Sequence, residues 1–382
     1  MRNNKEKKKM KWQSLIGILL PMVVGACIGF GMAMQNGRGA TPDVPLGEIL
    51  LRDMGLLILI VIGIFIQIII HEGGHLVCGL LTGYHYVSFR VGNWMWVKLD
   101  GKIRFKKLSL VGTGGQCLMS PPDLVGGKMP VVLYNMGGTL FNIIFSILFW
   151  GLYKICGEAS FIAQGFLIAG GMGILFALMN GIPLKLGEIN NDGYNAIAIR
   201  KNLKAQYALW VQLKVNEHQS LGKRIKDMPE EWFVMPSEEE MKNSMCVTLA
   251  VLTCNRFMDT LEFKKADELM EKLLTIDTAM VGIHRHLLIC DRIYCELINE
   301  NRPEKLEEML DEKQKKFMKS MRNFPSVLRT QYVYALLGEK DDKKANEFKK
   351  QFEKCACTYP YENDIESERE LIEIAENIAK LE

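Results

Sequence analysis

The chain has little net charge. Its 47 lysines and arginines are nearly balanced by 44 aspartates and glutamates, which leaves a formal net charge of +3. This charge is too small to indicate binding to nucleic acid, and the sequence contains no RNA- or DNA-binding motif. The sequence therefore predicts no nucleic-acid partner.

Paired cysteines are also missing. Ten cysteines are present without a C-x-x-C pair, and Cys27, Cys78 and Cys156 lie in apolar segments. This pattern excludes a disulfide framework. Cys355 and Cys357 form a C-x-C, but no second pair accompanies them, so a structural zinc is not indicated there. Reduced thiols, as in the cytosol, are the better interpretation.

Hydrophobic residues make up 48% of the chain, but they are distributed unevenly. Residues 1–200 hold the long apolar runs, whereas residues 201–382 are rich in Lys and Glu with apolar residues at helical spacing. A length of 382 residues accommodates two domains. We therefore predict a mainly α-helical protein, with a membrane-embedded domain at 1–200 and a cytoplasmic helical domain at 201–382.

Four segments approach the roughly 20 apolar residues that a transmembrane helix requires. They are residues 14–34, 54–81, 130–156 and 161–182. The first has a basic flank, like a signal peptide, but its apolar run is longer than a signal peptide requires, which favours an anchor.

Basic residues predict the orientation of these spans. The N-terminus is strongly basic, and the loop at 84–129 has seven basic residues against two acidic ones. These are Arg90, Lys98, Lys102, Arg104, Lys106, Lys107 and Lys128 against Asp100 and Asp123. The positive-inside rule places the N-terminus, this loop and the C-terminal domain in the cytoplasm. We expect a multi-pass protein of the cell membrane.

The sequence HEGGH, residues 71–75, closes the second apolar run. The spacing places His71 and His75 one helical turn apart, where both imidazoles can bind one Zn²⁺. Glu72 points to the adjoining side, where it can hold a metal-bound water. Ionisable residues within a membrane span are costly and usually functional. The motif therefore predicts a zinc site on the cytoplasmic side.

Catalytic zinc takes three protein ligands and leaves one position open. The best candidate for the third ligand follows the fourth span, where the helix is expected to end at Pro183. An irregular stretch then leads to Asp192, which precedes Gly193. Irregular backbone near a membrane is tolerated where protein or a wet cavity covers it. Asp192 is therefore the predicted third ligand.

These motifs together resemble the site-2 protease family of intramembrane zinc metalloproteases (peptidase family M50). HEGGH matches the family's first motif, and Asn180, Pro183, Asp192 and Gly193 match its N-x-x-P and D-G motif. Residues 138–142, GTLFN, resemble a G-P-x-x-N signature with threonine in place of the proline. The resemblance covers roughly residues 54–200.

The chain departs from the family in the long gap between Pro183 and Asp192. Glu188 lies closer to the usual position of the acidic ligand and is the second choice. The Asp-Gly pair and the helix-like segment after it favour Asp192.

The resemblance implies a zinc metalloendopeptidase that cleaves membrane-spanning or membrane-proximal peptides. Zinc-activated water would attack the peptide bond, with Glu72 as the general base. Asn142 and Asn180 would donate hydrogen bonds to the oxyanion or the substrate backbone. Alternatively, both asparagines hydrogen-bond between helices, as Asn commonly does in membranes. Gln67, one turn before His71, could orient a ligand, but interhelical packing is favoured.

Residues 84–110 alternate in polarity, with a turn signal at Asp100-Gly101, and predict a β-hairpin or small sheet. Its edge could hold an unwound substrate by strand addition. Alternatively, the basic aromatic loop rests on the membrane surface. The glycine-rich residues 112–122 predict a flexible stretch.

Seven segments of the C-terminal half have apolar residues at helical spacing. They lie near 243–256, 259–275, 280–299, 303–321, 326–338, 341–357 and 363–381. Their succession resembles degenerate tetratricopeptide (TPR) repeats, which would present a concave face to a cytosolic protein. The alternative is an irregular helical bundle.

A competing hypothesis is a catalytically silent membrane scaffold whose helical domain binds a regulatory protein. The presence of His71, Glu72, His75 and Asp192 together argues against it, since a scaffold needs none of them. A transporter or channel is disfavoured because the chain has few spans and no visible internal repeat.

Overall fold

The computed structural model describes residues 45–99, 101–108, 114–157, 160–186 and 189–381. These residues are mainly helical and include a small antiparallel sheet, as predicted. The first predicted span, residues 14–34, lies outside the described residues.

The chain forms two compact units. One comprises Met1–Gly83 with Pro130–Lys201, and the other comprises Tyr84–Met129 with Asn202–Glu382. The division predicted from the sequence, at residue 200, placed residues 84–129 in the membrane domain. By internal contacts, this segment groups with the C-terminal helices.

Three helices of the first unit are long and apolar enough to cross a membrane: α1 (Leu46–Leu81), α2 (Val131–Ile155) and α3 (Phe161–Gly181). They correspond to the second, third and fourth predicted spans. Helix α1 begins eight residues before the predicted span. Its first turns carry Glu48, Arg52 and Asp53, and these charged residues interrupt the apolar pattern by which a span is recognised, although they are compatible with a helix. Pro45 precedes it, where the missing N–H costs no helical hydrogen bond.

Glycines allow α1 and α2 to approach until their backbones touch. A Cβ atom on Gly74 would lie 2.7 Å from the carbonyl carbon of Gly137 and 2.8 Å from Cβ of Phe141. No larger residue fits at this crossing without moving a helix. Small residues at such crossings are typical of membrane helix pairs, which associate through close packing. The contact holds the HEGGH end of α1 against α2.

A short hairpin follows α3 and returns the chain to the end of that helix. Strands β5 and β6 of the molecule are Lys185–Leu186 and Ile189–Asn190, and helix α4 is Asp192–Ile199. The amide N–H of Asn191 donates to the carbonyl of Leu184 at 3.3 Å. The two short strands are therefore looped out, and Asp192 begins a helix close to the end of α3.

The second unit contains a four-stranded antiparallel sheet. Its strands are β1 (His85–Val91), β2 (Trp94–Leu99), β3 (Lys102–Lys107) and β4 (Gly115–Ser120), in the order β3-β2-β1-β4. The predicted small sheet is confirmed. The flexible stretch predicted at 112–122 is wrong for Gly115–Ser120, because this segment pairs with β1, a partner that local composition cannot reveal.

Nine α-helices follow in this unit among the described residues. They are α5 (Leu203–Ser220), α6 (Ser244–Asp259), α7 (Phe263–Thr275), α8 (Gly282–Ile298), α9 (Pro303–Met309), α10 (Glu312–Ser320), α11 (Pro325–Val333), α12 (Asp342–Ala356) and α13 (Glu362–Ala379). A π-helical turn, Tyr334–Gly338, continues α11. One predicted helix, 303–321, is divided in two because the Asp311 carboxylate accepts a hydrogen bond from the Gln314 amide (2.7 Å) and caps α10.

A buried ion-pair network joins three of these helices. Arg329 on α11 is only 1% exposed and binds Asp291 on α8 and Glu368 on α13. Its guanidinium also lies over the ring of Tyr294. Removing one partner of such a network leaves a buried charge uncompensated, so the network specifies how these helices pack.

Candidate metal centre

Three potential ligand atoms converge where α1 meets the start of α4. The Nε2 atoms of His71 and His75 are 3.2 Å apart, and Oδ2 of Asp192 lies 3.0 Å and 3.3 Å from them, respectively. Among the described residues, this is the one group of three metal-ligating side chains so closely placed. The residues that the sequence proposed as zinc ligands are therefore brought together, with Asp192 as the carboxylate.

These distances fit a small tetrahedral ion. Zinc binds histidine nitrogen and carboxylate oxygen at about 2.0–2.2 Å, which places tetrahedral ligands roughly 3.3–3.6 Å apart. The observed separations of 3.0–3.3 Å are within a few tenths of an ångström of that requirement. Only a small adjustment of side chains would admit the ion.

The hydrogen bond of His75 determines which ring nitrogen can bind a metal. Its Nδ1 lies 2.8 Å from the backbone carbonyl oxygen of Tyr134. A carbonyl oxygen only accepts hydrogen bonds, so Nδ1 must carry the proton. In the neutral ring, Nε2 then presents its lone pair toward His71 and Asp192. A hydrogen bond of this kind is the usual support for a metal-binding histidine.

His71 is oriented by Asn142 of α2. The Nδ2 group of Asn142 donates to the backbone carbonyl of Gln67 at 3.1 Å and to its Oε1 at 2.7 Å. This leaves Oδ1 of Asn142 to face Nδ1 of His71 at 2.7 Å. His71 therefore also carries its proton on Nδ1 and presents Nε2 to the site.

Gln67 completes this chain of hydrogen bonds across three helices. Its Nε2 group donates to the carbonyl of Ala169 on α3 at 2.7 Å, and both Gln67 and Asn142 are fully buried. Each side-chain polar group of Gln67 and Asn142 therefore has a hydrogen-bond partner, as burial requires. Gln67 therefore links helices, as favoured from the sequence, and also fixes the orientation of Asn142, which in turn orients His71.

Gly138 provides the space for the His71 ring. A Cβ atom at this position would lie 2.5–2.6 Å from three atoms of the imidazole. Gly138 and Asn142 are one turn apart on α2, so the first makes room for the ring and the second fixes its tautomer. Two residues of the segment 138–142, which the sequence singled out, therefore shape the surroundings of His71 in the candidate metal centre.

Asp192 is held as a carboxylate. Burial raises the pKa of its carboxyl group, but the charge of His75 and hydrogen bonds from His71 and His75 lower it by more. The net pKa lies well below the usual value, so the group is ionised at neutral pH. The carboxylate and the two imidazole Nε2 atoms then meet at about 3 Å, where positive charge, carried by the imidazoles or by a bound cation, offsets the charge of the carboxylate.

The remaining predicted residues occupy different positions. Glu72 is buried, with 8% exposure, and lies on α1 between the two histidines. Asn180 donates from Nδ2 to the carbonyl of Phe176 on its own helix at 3.1 Å. Glu188 lies outside the described residues. Thr139, at the position of the family's proline, has a buried hydroxyl that makes no hydrogen bond to any described residue.

Asn191 is a positioning residue that the sequence reasoning missed. Its Oδ1 accepts hydrogen bonds from the amides of Leu184 and Tyr194, both at 3.0 Å. Its Nδ2 donates to the carbonyls of Met179 and Ile182 at 2.6 Å and 2.5 Å. The side chain thus caps α4 and satisfies the end of α3. An asparagine before an Asp-Gly helix start is an N-cap signal that could have revealed it.

Comparison of the chain with protein-family models, curated proteins and solved structures finds no match. The resemblance to the site-2 proteases therefore stays a prediction.

Proposed function

We propose that the protein is an intramembrane zinc metalloendopeptidase that cleaves peptides in or near the membrane. The proposal rests on the convergence of two histidine Nε2 atoms and an aspartate oxygen within 3.3 Å of one another. The glutamate of the same HExxH motif lies between the two histidines along α1. This combination is typical of zinc hydrolases and has no purpose in a membrane scaffold.

The ligand set assigns a task to each residue. His71, His75 and Asp192 would hold the ion, leaving a fourth position open. Zinc, when bound, would supply a Lewis acid for the scissile carbonyl and lower the pKa of water from 15.7 to about 7. Glu72 takes a proton from the attacking water and delivers it to the leaving amine.

The two asparagines receive different tasks. Both ends of the Asn142 amide are engaged, with His71 and with Gln67, so we assign Asn142 to positioning His71. Asn180 uses its N–H group within α3, and its carbonyl oxygen can accept a hydrogen bond from a substrate N–H group.

Exposed apolar side chains support a location in the membrane. Leu57, Ile147 and Ile162, on the three long helices, are 62%, 64% and 67% exposed to solvent. Surfaces of this kind are stable in hydrocarbon and unfavourable in water. We propose a multi-pass protein of the cell membrane with its N-terminus, active-site face and helical domain in the cytoplasm.

The β2–β3 hairpin carries a further apolar surface. Trp94, Trp96, Ile103 and Phe105 are each 38–64% exposed, and the strand register places them on one face with Lys98 and Lys107. Tryptophan and lysine together suit the interface between water and anionic lipid headgroups. We propose that this face rests on the cytoplasmic membrane surface, rather than forming part of an exposed soluble loop.

Successive helical hairpins support a TPR-like stack in the C-terminal half. Helix α6 packs against α7, α8 packs against α11, and α11 packs against α12 and α13. The array differs from a regular repeat at α8, because two short helices, α9 and α10, follow it where a regular repeat has one longer helix. We propose that the array is a platform for another protein.

The Glu72→Gln variant tests the proposed chemistry. The protein is reconstituted in nanodiscs with zinc and a fluorescently labelled single-span peptide whose span contains asparagine and glycine. Because glutamine cannot accept the proton, we expect cleavage to fall roughly 10²- to 10⁴-fold while bound zinc is unchanged. Equal cleavage by the two proteins would contradict the role of Glu72. Zinc binding without cleavage by the wild type would favour the scaffold hypothesis.

Separate replacements distinguish the two candidate carboxylate ligands. Asp192→Asn should reduce the zinc content measured by mass spectrometry, because it removes a charged ligand at the site. Glu188→Gln makes the same chemical change and serves as the matched variant, with zinc content expected to be unchanged. The reverse result would assign the ligand to Glu188.

A further inference from the structure

The second unit contains a large pocket that the proposed peptidase chemistry does not use. It is bounded by α9, α10, the π-helical turn and α12, and has a volume of about 1030 Å³. Pockets for small molecules span roughly 300–1,000 Å³. This cavity, called here the helical pocket, lies at the upper limit of that range and suits a segment of polypeptide better than a small metabolite.

The floor of the helical pocket is apolar. Its lining comprises Ile293, Leu306, Leu310, Met318, Leu337 and Phe348. Such a surface suits the burial of an apolar side chain.

The rim of the pocket carries an excess of positive charge. Five basic residues line it against two acidic ones: Lys315, Lys319, Arg322, Lys340 and Lys344 against Glu307 and Glu339. Lys344 binds Glu339, and Lys315 lies 3.6 Å from Glu312. Lys319 and Arg322 form no ion pair with any described residue. An uncompensated basic rim favours a negatively charged partner.

Unusual backbone conformations are concentrated at the same place. Asn301 and Lys340 have φ angles of 51° and 53°, in the left-handed region, and both line the pocket. The π-helical turn that contributes Tyr334 and Leu337 is itself a rare element. Local strain and π-helical turns occur frequently at functional sites, where the surrounding structure maintains them.

We propose that the helical pocket binds an acidic peptide segment of a partner protein. An apolar side chain of the peptide occupies the floor near Leu310 and Phe348. Peptide carboxylates face Lys319 and Arg322. The proposal is independent of zinc and of peptidase activity.

Arrayed random-sequence peptides test the binding preference. Dye-labelled, full-length protein in detergent is applied to the array, and we expect the bound peptides to be enriched in Asp and Glu around an apolar residue. Lys319→Glu should weaken this binding roughly tenfold. Lys316→Glu makes the same change on an exposed position of α10 outside the pocket and should have no effect. Absence of bound peptides, absence of acidic enrichment, or equal effects of the two variants would overturn the proposal.

The Tm of Lys319→Glu separates binding from structure. Because Lys319 is exposed on α10, its substitution should leave the Tm of the peptide-free protein unchanged. The same substitution should weaken the best acidic peptide, since an attractive charge on the rim is replaced by a repulsive one. A lower Tm with unchanged affinity would show a purely structural role and contradict the proposal. So would binding of single-stranded RNA at the same rim that outcompetes the peptide.

Discussion

At the scale of single residues, the hydrogen bonds that Nδ1–H donates decide which nitrogen of the two histidines can bind a metal. Tyr134 offers a carbonyl to His75, and Asn142 offers an amide oxygen to His71. Both acceptors require a proton on Nδ1 and leave Nε2 unprotonated in the neutral ring. The site is thus prepared for an ion by groups that do not touch it.

Asn142→Ala tests this preparation. Without the acceptor, the His71 ring loses both its tautomer preference and its orientation, and we expect the zinc Kd to rise roughly 10- to 100-fold. The measurement is zinc competition against a chromophoric chelator with the purified protein in detergent. Asn142→Asp keeps an acceptor for Nδ1–H and should retain more of the affinity than alanine does.

Asn180→Ala is the matched control, because this asparagine donates within its own helix and not to a metal ligand. Its zinc Kd should equal that of the wild type. Equal losses in Asn142→Ala and Asn180→Ala would indicate general damage to the helix packing and would contradict a specific role for Asn142.

At the scale of elements, the segment between α3 and α4 resolves the unusual spacing of the motif. Lys185–Leu186 pairs with Ile189–Asn190, and the amide of Asn191 donates to the carbonyl of Leu184. The insertion is therefore accommodated outside the site, and Asp192 reaches the histidines although it is far from Pro183 in sequence. Gly193 is required there, because a Cβ atom would strike the carbonyl of Gly181.

Asn191→Ala tests the importance of this segment. The substitution removes the cap of α4 and leaves the carbonyls of Met179 and Ile182 without their donor. We expect a loss of about 1–2 kcal/mol in the free energy of unfolding, as for other helix caps. Since Asp192 follows directly, the zinc Kd should also rise, as measured by the same chelator competition.

Asn202 caps α5 in the same way, by accepting a hydrogen bond from the Ala205 amide at 3.1 Å, but it is not connected to the metal ligands. Asn202→Ala should therefore destabilise the fold without changing zinc affinity. A comparable rise in Kd for both variants would show that capping alone, rather than placement of Asp192, determines metal binding.

At the scale of the whole molecule, two exposed native cysteines report the orientation in the membrane. Cys156 follows α2 at the predicted outer side, and Cys357 follows α12 in the helical unit. In intact cells, a membrane-impermeant maleimide should label Cys156, while Cys357 should react only after lysis. Mass spectrometry of the peptides gives both yields from the unmodified protein.

Buried cysteines such as Cys78 and Cys254 provide internal controls, because neither should react without denaturation. Labelling of Cys357 in intact cells together with protection of Cys156 would reverse the orientation predicted by the positive-inside rule. The cytoplasmic placement of the active-site face would then have to be abandoned as well.

Local sequence predicted the helices well, because their signals lie between near neighbours. Apolar runs of membrane length indicated α1, α2 and α3, and helical periodicity indicated the C-terminal helices close to their observed bounds. The start of α1, helix α5, the division at Asp311 and strand β4 were missed. Capping contacts and strand partners decide these features, and neither can be read from local amino-acid composition.

The sequence by itself determined the pairing of His71 with His75, since four residues along a helix bring two side chains to one face. Only the tertiary structure decided which atoms surround them. Asp192 lies 121 residues from His71, and Asn142 lies 71 residues away. Contacts between residues so far apart in sequence are set by how helices pack and loops close. Packing depends on the combined contacts of the whole chain rather than on local spacing.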